Sequence, residues 1–265
     1  MKENIMPSYL PAVAVTFMPK NGGEPKTVYR PFESLTMEQL AAHRKNDAHG
    51  VLLELGERYY FGWGGAEQDY AKAYEYLREA AELGVQDAQA LLAGYYVRED
   101  IGLLPKDPSK CEMMLLLAAE SGSWKAMETL ALCYRDGKDG FPIDHEKAFY
   151  WAKEAERMLR IYWDFYAQPD FIDFEEKQKE IITEHSRMSV VLMLFCMNGV
   201  GVKRDLKEAE KWLDSGEKFV CRITGLAKVP LFQEQRAVLR ARAEKDRMRA
   251  EKAAKEKIPG IRKNR

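Results

Sequence analysis

The chain is poor in cysteine and histidine and has no long apolar run. Its four cysteines, Cys111, Cys133, Cys196 and Cys221, form no CxxC pair. That argues against a zinc ribbon or a dense disulfide scaffold and leaves reduced thiols acting as small apolar residues. The four histidines, His43, His49, His145 and His185, make no HExxH and no pair at i, i+4, so no metal site is expected. No GxxxxGKS/T loop and no GxSxG elbow occur, and the GWGGAE stretch at 62–67 follows a helical pattern rather than a strand. Asp170, Asp173, Glu175 and Glu176 are ordinary acids for a helix start. The expectation is a protein with no catalytic residue, no metal and no cofactor. The longest uncharged apolar stretch, Val190 to Met197, is too short to span a bilayer. The opening MKENIMPSYLPAVAV does not read as a secretory signal, so a cytoplasmic protein without a membrane partner is expected.

What is present is enough apolar material for a core: 46% hydrophobic residues in 265, with 11% aromatics. The net charge of −1 hides an asymmetry. Lys228 to Arg265 holds thirteen Lys/Arg against five Asp/Glu, a balance of +8 that leaves −9 for the preceding body.

One spacing recurs four times. An acid is followed four residues later by a small residue at Asp69/Ala73, Asp107/Cys111, Asp144/Ala148 and Asp205/Ala209, and three further on by Tyr76, Met114, Trp151 and Trp212. Upstream, an apolar residue, a small residue and an aromatic recur as Leu55-Gly56-Tyr59, Leu92-Ala93-Tyr96 and Leu130-Ala131-Tyr134, degenerating to Leu192-Met193-Cys196. The small positions step by 38, 37 and 61 residues, so a unit of about 37 residues is repeated with an insertion before the last copy. Each unit predicts two helices, A and B, with one apolar stripe apiece. Small residues let the helices approach closely, and the aspartate caps helix B. No unit buries its stripe alone, so neighbours must stack.

This pattern of L-G-x-x-Y, G-x-G-V-x-x-D-x-x-K-A-x-x-W and A-A-x-x-G resembles the Sel-1-like repeat family, relatives of the tetratricopeptide repeats. Copy 2 departs from it at Cys111 and Met114, and copy 4 lacks the helix-A glycine and tyrosine. The resemblance implies an all-α, right-handed αα-solenoid of about four repeats that serves as a non-catalytic protein-interaction scaffold, most often in bacteria. Some members neutralise a cognate toxin as immunity proteins, which makes a toxin or effector an alternative partner.

The expected organisation is a β-hairpin turning at Asn21-Gly22-Gly23 and a lead-in helix, Thr36 to about Asn46, within 1–46. Repeats follow over 47–217, with copies at about 47–84, 85–122, 123–158 and 186–217 and an insertion at about 159–185. The insertion combines Tyr162, Trp163, Phe165, Tyr166, Phe171 and Phe174 with acids. It reads either as a platform for a basic partner or, the favoured alternative, as two elongated helices with the aromatics in the core. Residues 218–265 predict a charged helix from about Leu231 to Ile258, ended by Pro259-Gly260, with acids interleaved. A contact from this basic tail to nucleic acid is a further alternative.

In tetratricopeptide-like folds, helix-A side chains not used in stacking line the concave surface. The resemblance carries that role to Leu53, Glu57 and Tyr60, to Ala90, Val97 and Arg98, to Lys125, Glu128 and Arg135, and to Val190, Leu194 and Met197. Such a mixture suits a peptide or a partner's helix, or else these residues contact the hairpin or the C-terminal helix folding back.

Overall fold

The computed structural model describes residues 12–17, 24–45, 48–171 and 173–256. β1 (Ala12–Phe17) and β2 (Lys26–Pro31) pair antiparallel, with Ala12 opposite Pro31 and Phe17 opposite Lys26. The Asn21-Gly22-Gly23 turn lies outside the described residues. A single 3-10 turn, Phe32–Ser34, leads to α1 (Met37–His43). Thr36 caps α1 in a capping box: its hydroxyl accepts from the Gln39 N–H at 3.3 Å, and the Gln39 side chain accepts from the Thr36 N–H at 2.8 Å.

Three helix pairs follow: α2 (Ala48–Phe61) with α3 (Tyr70–Glu82), α4 (Gln86–Gly94) with α5 (Pro108–Glu120), and α6 (Trp124–Asp136) with α7 (His145–Tyr166). The second half of α8 (Glu175–Asn198) and α9 (Leu206–Thr224) form the fourth, and α10 (Pro230–Glu256) ends the described chain.

One device closes all four pairs. The aspartate before each helix B donates its own N–H back to helix A, from Asp69 to the Tyr59 carbonyl, Asp107 to Tyr96, Asp144 to Tyr134 (each 2.8 Å) and Asp205 to Cys196 (2.9 Å). The same aspartates accept from first-turn N–H groups at Ala71 and Lys72, Lys110, Lys147, and Lys207 and Glu208. They thereby satisfy donors that the helix leaves unpaired. In the first three copies the lysine three residues on also lies over the helix-A tyrosine, Lys72 over Tyr59 at 5.3 Å, Lys110 over Tyr96 at 5.2 Å and Lys147 over Tyr134 at 4.8 Å.

The chain divides into two compact units, 1–185 and 186–265, with the boundary inside α8. In the first unit, Leu52, Leu53, Ala73, Leu77, Ala80, Ala88 and Leu92 join the first two repeats in one core. Gly56 shows why a small residue is needed there: a Cβ on it would lie 2.6 Å from the Leu77 side chain. A second small core, Phe32, Leu40, Val51 and Leu55, seats the lead-in on the first repeat. Ser123, the cap of α6, donates to the buried Asp87 of α4 at 2.6 Å and ties the third repeat to the second.

The insertion takes the packing alternative. α7 runs on to Tyr166, and Tyr162, Tyr166 and Phe174 are buried. Phe165, Tyr166, Phe171 and Phe174 contact one another with ring centroids 4.8 to 5.7 Å apart. Phe171 also stacks on Tyr29 of β2 at 5.2 Å, and the Tyr29 N–H donates to the Asp170 carbonyl at 2.8 Å. The hairpin is therefore bound by the insertion, which supplies the edge partner that an isolated two-stranded ribbon needs.

In the second unit, α10 folds back on α9. Glu217 accepts from the Val229 N–H at 3.0 Å and from Gln233 at 2.8 Å, and it pairs with Arg236, which also reaches Asp214. Asp246 pairs with Arg204 of the α8–α9 loop, while Arg247 pairs with Glu251 at 3.6 Å. At Gly216 a Cβ would lie within 2.7 Å of both Ser189 and Phe232, so α8, α9 and α10 meet where no side chain intervenes. The sequence boundary at 217/218 falls inside α9. Ile258 and Pro259-Gly260 lie outside the described residues.

Candidate partner-binding surfaces

The helix-A positions expected to hold a partner divide into three groups. Leu53, Tyr60, Val97 and Met197 are buried. Leu53 and Tyr60 belong to the core shared by the first two repeats, so they support the face rather than present it. These four are corrections to the sequence expectation, and the cause is local. The C-terminal turns of α2 and the segment after α4 are covered by their neighbours, as when the Tyr60 ring meets Tyr95 at 5.8 Å.

Glu57, Ala90, Lys125, Glu128, Arg135 and Val190 are half-buried. Two of them meet, since Lys125 pairs with Glu57 at 3.5 Å and with Glu180 of α8 at 3.7 Å. Burial works against the Lys125 ammonium, but Glu57 and Glu180 outweigh it and raise its pKa. Glu180 is also penalised by burial, yet Lys177 and Lys125 hold its pKa below the usual carboxylate range. The N-terminal half of α8 thus lies on the helix-A side of the first and third repeats. The cleft that remains there, bordered by Glu33, Leu53, Glu57, Lys125, Phe174 and Lys177, has room of about 20 Å³, the space of one water molecule. No ligand fits it.

A buried charge lies under that cleft. Arg58 donates to Glu54 at 2.7 Å, to the Phe32 carbonyl at 3.1 Å and to the Gly64 carbonyl at 3.0 Å, and it stacks on Trp63. Gly64 has φ 62°, and a Cβ there would meet Arg58 at 2.9 Å. Gly64 of GWGGAE therefore lies against an arginine rather than a phosphate. Burial pushes the Glu54 carboxyl up to about 7 against the Arg58 hydrogen bond, and burial likewise raises Glu33. The sequence analysis passed over this pair, although Glu54 interrupts the apolar run VLLEL four residues before Arg58.

Arg98 and Leu194 are exposed. Arg98 donates to the Tyr60 hydroxyl at 2.6 Å, pairs with Asp100, and lies over the Tyr60 and Tyr70 rings at 5.4 and 5.8 Å. Phe61, 56% exposed, packs edge-on against Tyr60 at 4.8 Å. Phe61 and Tyr70 were not among the expected residues. Phe61 lies in the aromatic run YYFGW leading into the loop, and Tyr70 follows the capping Asp69 at the start of α3. In the second unit Leu194 faces solvent, while Met197 turns inward and its carbonyl accepts from Arg204 at 2.9 Å.

Among the described residues no group of three or more His, Cys, Asp or Glu is placed to hold a metal ion, and no helix is long and apolar enough to cross a membrane.

The Sel1 repeat family profile matches residues 51–85, 86–123, 124–158 and 187–216, just over half of the chain. The chain belongs to the Sel1 repeat family. Solved Sel1 repeat structures are similar to it at low identity. A protective antigen of uropathogenic Escherichia coli strains with the same repeat fold is 20% identical, with a TM-score of 0.37, over 72% of this chain and 49% of the antigen. A Sel1 repeat protein from Oxalobacter formigenes is 22% identical, with a TM-score of 0.40, over 47% of this chain and 92% of its own. One from Klebsiella pneumoniae subsp. pneumoniae is 20% identical, with a TM-score of 0.35, over 72% and 99%. The chain spans about half the length of the E. coli antigen it matches. No curated protein matches it. Sel1 repeat proteins are in general protein–protein interaction scaffolds and typically non-catalytic.

Proposed function

We propose that this Sel1 repeat protein is a cytoplasmic, non-catalytic adaptor that holds a partner protein along the C-terminal ends of its helices A. The observation that carries the reading is the cluster of Arg98 with Tyr60, Tyr70 and exposed Phe61, where a guanidinium lies over two tyrosine rings at the surface. Tyrosine and arginine on a rigid support are the side chains that dominate the energetics of protein interfaces. Arg135 occupies the corresponding end of α6 and extends the edge to the third repeat.

The test is capture from nuclease-treated native cytosol with tagged full-length protein, beside the double variant Phe61→Ala/Arg98→Ala. Both substituted side chains are exposed, so helical content should be unchanged. The reading expects one near-stoichiometric protein with the native chain and its loss with the variant. Retention of that protein by the variant would remove the Arg98 edge from the interface.

A further inference from the structure

Glu180 and Phe174 of the chain itself lie against the helix-A side of the first and third repeats, and exposed apolar area remains on the helix-B side. α5 is the unusual helix. Cys111, Leu115 and Ala118 face the core, yet Met113 and Leu117 on the opposite side are 60% and 51% exposed. Between α3 and α5, Leu117 and Met114 border an open groove of about 380 Å³ walled by Tyr74, Leu92 and Tyr96. Its surroundings are acidic. α3 and α5 together carry Glu75, Glu79, Glu82, Glu112 and Glu120 against Lys72, Arg78 and Lys110. Lys72 pairs with Asp69, Arg78 with Glu82 and Arg44 with Glu79, so the acidic excess around the groove rests on Glu75, Glu112 and Glu120.

α10 has the complementary chemistry. Phe232, Arg236, Leu239 and Asp246 form its inner stripe. Half a turn away, Leu231, Val238, Ala241, Lys245, Met248 and Arg249 recur at helical spacing, and all are exposed. Exposed Glu234 falls within this stripe near its start and Glu244 and Glu251 lie on its flanks, so the stripe is apolar and basic in its C-terminal half, around Lys245, Met248 and Arg249.

We propose that two copies of this chain associate by docking the outer stripe of α10 from one copy into the α3/α5 groove of the other. Val238 and Met248 supply the apolar contact, and Lys245 and Arg249 meet the carboxylates around the groove. The charge distribution favours this occupant. The body carries −9 and the tail +8, while the whole chain carries −1, so unlike segments attract without net repulsion between copies. A nucleic acid or an anionic lipid surface would engage Lys245 and Arg249 but leave the groove uncovered. A second copy accounts for both faces.

Sedimentation velocity of the full-length chain up to about 100 μM, at about 0.05 M and about 0.5 M salt, tests the proposal. It expects concentration-dependent association that weakens with salt. Leu117→Glu and, separately, Lys245→Glu/Arg249→Glu should each lower the association constant by about tenfold or more with unchanged circular dichroism. An equimolar mixture of the two variants should recover a 1:1 complex, because one intact groove and one intact α10 remain. A monomer under all these conditions overturns the proposal, and so does association that both variants leave unchanged. Binding of monomeric wild-type protein to anionic vesicles or duplex DNA, lost with Lys245→Glu/Arg249→Glu, would also overturn it by assigning α10 to another partner.

Discussion

Glu54→Gln should flatten a specific part of the stability profile. Glu54 is 5% exposed and faces Arg58, with Glu57 and Glu33 close enough to repel its ionised form. Burial raises its pKa from 4.5 to about 7, above the value in the unfolded chain. Between those two values the folded state holds a proton that the unfolded state has lost. The stabilisation is therefore greatest below pH 4.5 and is lost as pH rises through 7. From about pH 5.5 to about pH 8 the loss amounts to about 2 kcal/mol, from the 1.36 kcal/mol that each pKa unit represents. Guanidinium denaturation of wild type and Glu54→Gln at both pH values isolates this group, because every other titration is common to the two proteins. The wild type should lose about 2 kcal/mol relative to the variant on going to the higher pH. A difference that stays constant would refute the reasoning. One of opposite sign would mean that Arg58 holds the carboxylate ionised and that the pair, not burial, dominates.

Two further perturbations probe other parts of the molecule. Gly216→Ala places a Cβ within 2.7 Å of Ser189 and Phe232, and the crowding should cost about 1–3 kcal/mol, read as a lower denaturation midpoint. His185 is fully buried against Glu156 at 3.0 Å, and burial lowers its pKa below 6.5 despite that carboxylate. Its contribution is present above 6.5 and lost as pH falls, opposite in sign to that of Glu54, so His185→Gln should reduce the acid sensitivity of the wild type in denaturation curves below that pH.

The repeat was legible in the sequence because its signals are local. An aspartate cap, a small residue and a large flat side chain at fixed offsets each answer to backbone geometry within one turn or to one helix contact. The elongated α7 and α8 were legible as well, from aromatics at helical spacing. The occupation of the helix-A side was not. It depends on Lys125 meeting Glu57 and Glu180, 68 and 55 residues away, and no periodic pattern encodes a pairing of that kind. For the same reason Leu53 and Tyr60 were assigned to a binding face. Their repeat positions permit exposure, but α8 and the second repeat remove it.

The degenerate fourth copy shows what the repeat signature encodes physically. In the first three copies the lysine after the capping aspartate and the tyrosine of helix A look like separate motif positions, yet they are one contact between an ammonium and a ring. In the fourth, Glu208 replaces the lysine and Cys196 replaces the tyrosine, so both partners are missing together. The Asp205 N–H still donates to the Cys196 carbonyl at 2.9 Å, and the Asp205 side chain still caps α9. Backbone closure thus survives where the side-chain contact does not, because a carbonyl is available whatever residue carries it. A glutamate placed over a tyrosine ring would gain nothing from the ring quadrupole, and a lysine over a cysteine would have no ring to meet. The aspartate is the part of the unit that cannot be dropped, and the lysine and tyrosine are dispensable only as a pair.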